Sequence, residues 1–173
     1  MKNLYSSILI VIVALFVFAS LAVAKPPFWD DQVNNTGRFK KLSEFSNAAV
    51  FDKETGLVWE QSPNTTTLTW VNALTHCYQR LVGGRKGWRL PTIEELASLV
   101  EPTNASPALP DGHPFTLTIA QEDGFYWSAT TFAGSTGFAW GVSFNFGGVD
   151  VGDKGDNVFV WCVRGGQGID GAQ

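Results

Sequence analysis

From Phe138 to Phe146 the chain alternates without a break. Phe138, Trp140, Val142, Phe144 and Phe146 fall on one side, and Ala139, Gly141, Ser143 and Asn145 on the other. A period of two predicts an extended strand with one apolar face. Gly147-Gly148 then predicts a tight turn and Val149-Asp150-Val151 a returning strand. Phe125 to Thr130 reads as a strand before this pair. Val158 to Val163, apolar on both sides, reads as a central strand after it. Nearer the start, Ala49-Val50-Phe51 and Leu57-Val58-Trp59 flank Asp52-Lys53-Glu54-Thr55-Gly56, a hairpin whose Gly56 suits positive φ.

Two stretches carry the helical period instead. Trp70, Ala73, Leu74, Cys77 and Leu81 predict a helix from near Thr69 to Leu81, ended by Gly83-Gly84. In Gly87-Trp88-Arg89-Leu90-Pro91-Thr92-Ile93-Glu94-Glu95-Leu96 a short strand meets a proline and a second helix begins. Thr92 and Glu95 have the spacing of a capping box. Ile93, Leu96, Ala97 and Val100 form its apolar face, and Pro102 stops it. Residues 25–47 show no clean period and read as an arm, 63–67 as a polar connector, and 167–173 as a tail. Residues 101–124, with Pro102, Pro107, Pro110 and Pro114, have the length of a functional or mobile loop, and the reading preferred over that is a packed connector pinned by its prolines and Phe115. The fold class is α+β, with its domain over residues 48–166.

The first residues change the compartment. Lys2, the apolar run Ile8 to Val17 and the Ala22-Val23-Ala24 site read as a signal peptide over residues 1–24, cleaved before Lys25. The chain is therefore expected to be exported to the periplasm, the cell surface or the medium. About 150 residues remain, enough for one domain. No second long apolar run follows, so no membrane span is expected after cleavage. The net charge of −4 and the lack of a basic run disfavour nucleic acid as a partner. Cys77 and Cys162 are the two cysteines. In an oxidising compartment they are expected to form a disulfide, with buried free thiols or one reactive thiol as the alternatives.

Candidate chemistry is sparse. His76 lies on the first helix and His113 in the turn Asp111-Gly112-His113-Pro114. No G-x-S-x-G elbow, phosphate loop or clustered zinc ligands accompany them, so the chain is read as non-catalytic. Asn145, Asp150, Asp153, Asp156 and Asn157 gather oxygens in the last third, which leaves calcium open. The turn preference of Asp and Asn is the reading preferred for them, and no cofactor is expected. Most of the seven tryptophans fall on strands or apolar helix faces, where core packing is the default. Phe28 and Trp29, in the arm, are the exceptions.

The order of several segments resembles one family. Asp52 to Trp59, Trp70 to Cys77, Gly87 to Thr92 with Glu95-Leu96, Tyr126 to Thr131, Phe138-Ala139-Trp140, Gly147-Gly148-Val149 and Trp161 to Gly166 are together similar to the Lcl C-terminal domain family. The resemblance implies a C-type-lectin-like fold: two helices packed on a small twisted antiparallel sheet with long irregular loops. It also implies ligand contacts from the C-terminal third, in Thr131 to Gly137 with Ser135 among them, and at Ser143, Asn145, Asp150, Asp153, Lys154 and Asp156. Both cysteines fall where that family places its own. Related oxygenases use a pair of nearby cysteines close to the C-terminus, and only Cys162 lies there. The resulting expectation is a binding module that recognises a glycan, protein or surface ligand. The alternative is a structural or assembly component of the envelope, with a homo-oligomer left open.

Overall fold

The computed structural model describes residues 35–166. Residues 1–24, read as a signal peptide, residues 25–34 with Phe28 and Trp29, and the segment read as a tail lie outside the described residues. Within them, nine strands and a few short helices make a mixed α/β fold with two sheets.

The first sheet has the order β1-β2-β3-β9 and is antiparallel throughout, with β1 at Phe39–Lys41, β2 at Ala49–Asp52, β3 at Val58–Glu60 and β9 at Val163–Arg164. The hairpin between β2 and β3 forms as expected, and Gly56 sits at φ 73° in its turn. The segment expected as an arm differs. Helix α1 (Asn35–Arg38) leads into β1, where Lys40 pairs with Phe51, and a 3-10 turn at Ser43–Phe45 follows. Leu42 and Phe45 are buried in the core. The fold thus begins before residue 48: two core side chains and an edge strand come from a stretch with no sequence period.

The second sheet has the order β4-β8-β5-β6-β7, with β4 at Asn64–Leu68, β5 at Phe125–Thr131, β6 at Phe138–Ser143, β7 at Gly148–Asp153 and β8 at Val158–Val160. Only the β5–β8 pair is parallel. This five-stranded sheet beside a four-stranded one is larger than the small sheet expected. The stretch 63–67, read as a connector, supplies its edge strand β4. The strand predicted as central over Val158 to Val163 breaks in two: β8 lies inside the five-stranded sheet, and β9 ends the order of the other. The break falls where Glu60 intervenes. Its Oε2 accepts the Cys162 N–H (3.0 Å), its carbonyl accepts the Trp161 Nε1–H (2.9 Å), and its own N–H donates to the Cys162 carbonyl (3.2 Å).

Strand β6 corrects the simple reading of its two faces. Val142 and Phe144 are buried with Tyr126, Trp59, Trp161, Leu96, Leu99 and Phe115. Phe138 and Trp140 are only half-buried, and Phe146, beyond the strand in the turn, is 76% exposed. The small-residue face is buried too. A Cβ on Gly141 would meet the Phe125 ring at 2.5 Å, and one on Gly152 the Trp127 ring at 2.7 Å. These glycines make room for large rings, so the sheet is covered on both sides. Ala139 and Trp127 belong to the second cluster, with Ala73, Cys77, Trp88 and Cys162.

Helix α2 spans Trp70–Gln79, and Arg80 already has extended backbone. Ala73 and Cys77 face the core as expected, whereas Leu81 is exposed. Cys77 and Cys162 form the expected disulfide, with Cα atoms 5.4 Å apart. Helix α3 is shorter than predicted, Ile93–Ala97, and ends before Pro102. Its capping box is present: Thr92 Oγ1 accepts the Glu95 N–H (3.3 Å) and Glu95 Oε2 the Thr92 N–H (2.9 Å). Arg89 clasps the same carboxylate through two bonds of 2.7 Å, locking the strand-to-helix corner. The connector 101–124 is packed through Ala108, Leu109 and Phe115, and it adds helix α4 (Ile119–Glu122), which the sequence reading missed.

Candidate functional site

The polar candidates of the last third divide between the two ends of the five-stranded sheet. At one end Phe138 pairs with Asp153, and the β5–β6 and β7–β8 connections meet. Lys154 Nζ donates there to Thr131 Oγ1 and to the Thr136 carbonyl, both at 2.9 Å, and lies 3.9 Å from the Trp70 ring centre. Its ammonium therefore ties both loops to the start of α2. Asp153 Oδ1 accepts the Gly155 N–H (2.8 Å), and the Asp156 N–H donates to the Asp153 carbonyl (2.9 Å), a self-contained turn. Ser135 is exposed in the β5–β6 connection. Ser143 pairs with Gly148 at the opposite end, about 17 Å away along the strand. Asp150 lies between the ends, opposite Gly141, exposed, and accepts the Val151 N–H (2.7 Å). The structure thus gathers Thr131, Ser135, Asp153, Lys154 and Asp156, and leaves Ser143, Asn145 and Asp150 apart. Among the described residues no group of three or more His, Cys, Asp or Glu is placed to hold a metal ion.

Asn145 leads to a better-formed concavity. Its carbonyl accepts the Ser106 N–H (2.9 Å) and its Oδ1 the Ser106 hydroxyl (3.1 Å), while the Ala108 N–H reaches the Phe144 carbonyl (2.6 Å). These bonds fasten the proline-rich connector to the β6–β7 turn. Beside them the connector lines an open groove of about 370 Å³, with Asn104, Pro107, Leu109, Pro110, Asp111 and His113 among its residues. Asn104 Nδ2 donates to the Leu109 carbonyl (2.7 Å) and to Asp111 Oδ1 (3.0 Å), holding the loop's neck. Asn104 Oδ1 and Asp111 Oδ2 remain as acceptors. The lining hydroxyl, Thr103 Oγ1, donates to Glu101 Oε1 (2.7 Å).

His113 stacks on Phe115, with ring centres 5.8 Å apart and planes inclined by 27°. Its Nδ1 is buried without a partner. Burial holds its pKa below the ordinary imidazole value, against the opposing pull of Glu122 and Asp111, so the ring is neutral at physiological pH. The groove offers acceptors beside apolar proline and imidazole faces, and a volume in the range of small-molecule sites. Sequence reasoning placed His113 in a turn and saw a packed connector. The available signal was the length of that aperiodic, proline-rich stretch.

A second concavity, of about 190 Å³, is lined by Ala48, Glu60, Gln61, Ser62 and the Arg80 to Gly83 segment. Glu60 is buried and ion-paired with half-exposed Arg80. Burial pushes the Glu60 carboxyl up from its ordinary value, outweighing the hydrogen bond and charge of Arg80 and the Cys162 N–H. A carboxyl whose folded pKa is raised retains its proton longer in the fold than in the unfolded chain. Its contribution to stability is then fully present below the ordinary carboxylate range and lost as pH rises through the folded value. Urea midpoints measured across that window should fall less steeply for Glu60→Gln than for the wild type. Parallel profiles would contradict the assignment.

A family model described as the Lcl C-terminal domain matches residues 48–164. No curated protein matches the chain.

Proposed function

The chain belongs to the Lcl C-terminal domain family, and we propose that it is an exported, non-catalytic binding module on a C-type-lectin-like scaffold, recognising a glycan through the Asn104–His113 concavity. The observation that carries this reading is the pairing, in one groove, of acceptors at Asn104 and Asp111 with the half-buried rings of Pro107 and His113. A sugar ring presents the complement: hydroxyl donors around its edge and C–H groups on its faces. Asn145 contributes by anchoring the groove's loop, which links this site to the C-terminal third. The disulfide between the ten-residue helix α2 and the turn before β9 supports the scaffold.

The test is a glycan array with purified protein, run with and without calcium. The expected result is a specific hit that an Asn104→Ala/Asp111→Ala variant weakens by about tenfold or more, since each removes a hydrogen-bonding group from the groove. Asp150→Ala, on the far strand, should leave binding unchanged. Retained binding in the double variant would move the site away from the groove. Absence of any glycan binding would shift the weight to a protein ligand or to an envelope-structural role.

A further inference from the structure

Five arginines lie among the described residues, and three of them are matched to carboxylates: Arg38 to Asp52, Arg80 to Glu60 and Arg89 to Glu95. Arg85 and Arg164 are not, and both lean on one ring. Their guanidinium carbons lie 5.0 and 5.7 Å from the centre of Phe45. Arg164 Nε also donates to the Lys86 carbonyl (3.0 Å), which brings a third unmatched cation, exposed Lys86, to the same place. The nearest contact from an acidic residue is a backbone one, the Glu44 carbonyl accepting Arg85 Nε at 3.4 Å. This concentration of positive charge stands out in a chain of net charge −4. From Gln61 to Ile93 there is no Asp or Glu at all, while Arg80, Arg85, Lys86 and Arg89 all fall there.

An apolar stripe adjoins the cations. On α2 the residues turned away from the core at Val71 and Tyr78 are 62% and 80% exposed, and Leu81, just past its end, is 58% exposed. A spacing of seven keeps Val71 and Tyr78 on one side of α2, and Leu81 follows past the extended Arg80. Val82 and Arg85 then close on each other, with N–H to carbonyl bonds of 3.1 and 3.0 Å, which sets Leu81 opposite Lys86 across a tight turn. That turn is rigid. Gly83 has φ 53°, and a Cβ there would lie 2.3 Å from the Phe45 carbonyl oxygen.

We propose that this face, Val71, Tyr78 and Leu81 with Arg85, Lys86 and Arg164, is a peripheral docking surface for an anionic phospholipid bilayer. The complementarity is of two kinds. Guanidinium groups placed over Phe45, each with its Nε–H on a backbone carbonyl, present their Nη groups to phosphate oxygens. A tyrosine and aliphatic side chains suit the boundary between headgroups and acyl chains. No helix among the described residues is long and apolar enough to cross a membrane, and this surface does not need one.

Vesicle co-sedimentation of the protein tests the proposal, comparing phosphatidylcholine alone with phosphatidylcholine containing phosphatidylglycerol, at low and high salt. Binding is expected only with the anionic lipid, and it should be lost as salt screens the charges. The Arg85→Gln/Lys86→Gln/Arg164→Gln variant should bind about a hundredfold more weakly, from three cations near an anionic surface. Tyr78→Ser/Leu81→Ser should also weaken binding. Arg85 and Arg164 pack on a core ring, so Lys86→Glu provides a cut that leaves that packing intact, and Arg85→Lys/Arg164→Lys should retain most of the binding. Equal binding to neutral vesicles, no binding to anionic ones, or binding indifferent to Lys86→Glu and the triple variant would overturn the proposal.

Discussion

Replacing Cys77 and Cys162 by alanine is expected to lower the free energy of unfolding by about 4.5 kcal/mol, the chain-entropy value for a loop closed by a bridge of sequence separation 85. Against a total of about 5–15 kcal/mol for a domain of this size, that is the largest single effect of any covalent change. The loss should come mainly from the unfolded chain, because helix α2 is also held without the sulfur bond. Trp70 Nε1–H donates to the Ser128 carbonyl (2.8 Å), Trp127 Nε1–H to the Leu68 carbonyl (3.0 Å), and Ala73 and Cys77 are fully buried. The double variant should therefore keep the wild-type near-ultraviolet circular dichroism in buffer while its urea midpoint falls by about 2 M. Reduction of the wild-type protein should reproduce the shift. An unchanged midpoint would mean that the reduced chain is already compact enough to hide the loop entropy. Loss of the aromatic signal without denaturant would mean that the bridge also holds the native packing.

The elements legible in the sequence were those fixed by neighbours in the chain. The Thr92–Glu95 capping box, the Gly56 turn and the face of α2 as far as Cys77 rest on spacings of three to four residues or on one glycine, and they appear as read, while Leu81 falls beyond the helix and is exposed. What was missed depends on partners far away. Glu60 reads as a polar residue closing a strand, yet its carboxylate and backbone divide Val158 to Val163 into strands of two sheets. Nothing local marks that role. Gly141 fell on the face read as opposite the apolar one, because the ring that fills its space, Phe125, comes from another strand. The candidate site followed the same rule. Lys154 and Thr131 were read as ligand contacts of the C-terminal third, and the structure bonds their polar groups to each other. The groove at Asn104 to His113 arises instead because the connector is pinned to Phe144 and Asn145, some 40 residues on in the chain.

Arg38→Met is expected to cost about 3–5 kcal/mol, because it strands a buried carboxylate. Arg38 grips Asp52 with two bonds, Nε to Oδ1 at 2.9 Å and Nη2 to Oδ2 at 2.7 Å. It also reaches the Ser98 carbonyl (2.8 Å) and Glu54 Oε2 (3.0 Å). Asp52 is fully buried and caps its own hairpin by accepting the Glu54 N–H (3.1 Å) and the Thr55 hydroxyl (2.9 Å). One guanidinium therefore joins the start of the described chain, the β2–β3 turn and the end of α3. Arg38→Lys keeps the charge but loses the fork, so it should fall between wild type and Arg38→Met. Lys53→Met, which removes an exposed bond to the Gly37 carbonyl, serves as the control and should shift stability by less than about 0.5 kcal/mol. Urea unfolding of the three variants decides the matter, and an Arg38→Met no worse than Lys53→Met would sink the argument. The same logic applies to the boundary at residue 48, where the family match begins. A chain trimmed to that point would lose β1, Leu42 and Phe45 along with Arg38, and would leave Asp52 charged in the interior. It should be less stable than Arg38→Met, since the fold of this protein is completed by residues on the far side of that boundary.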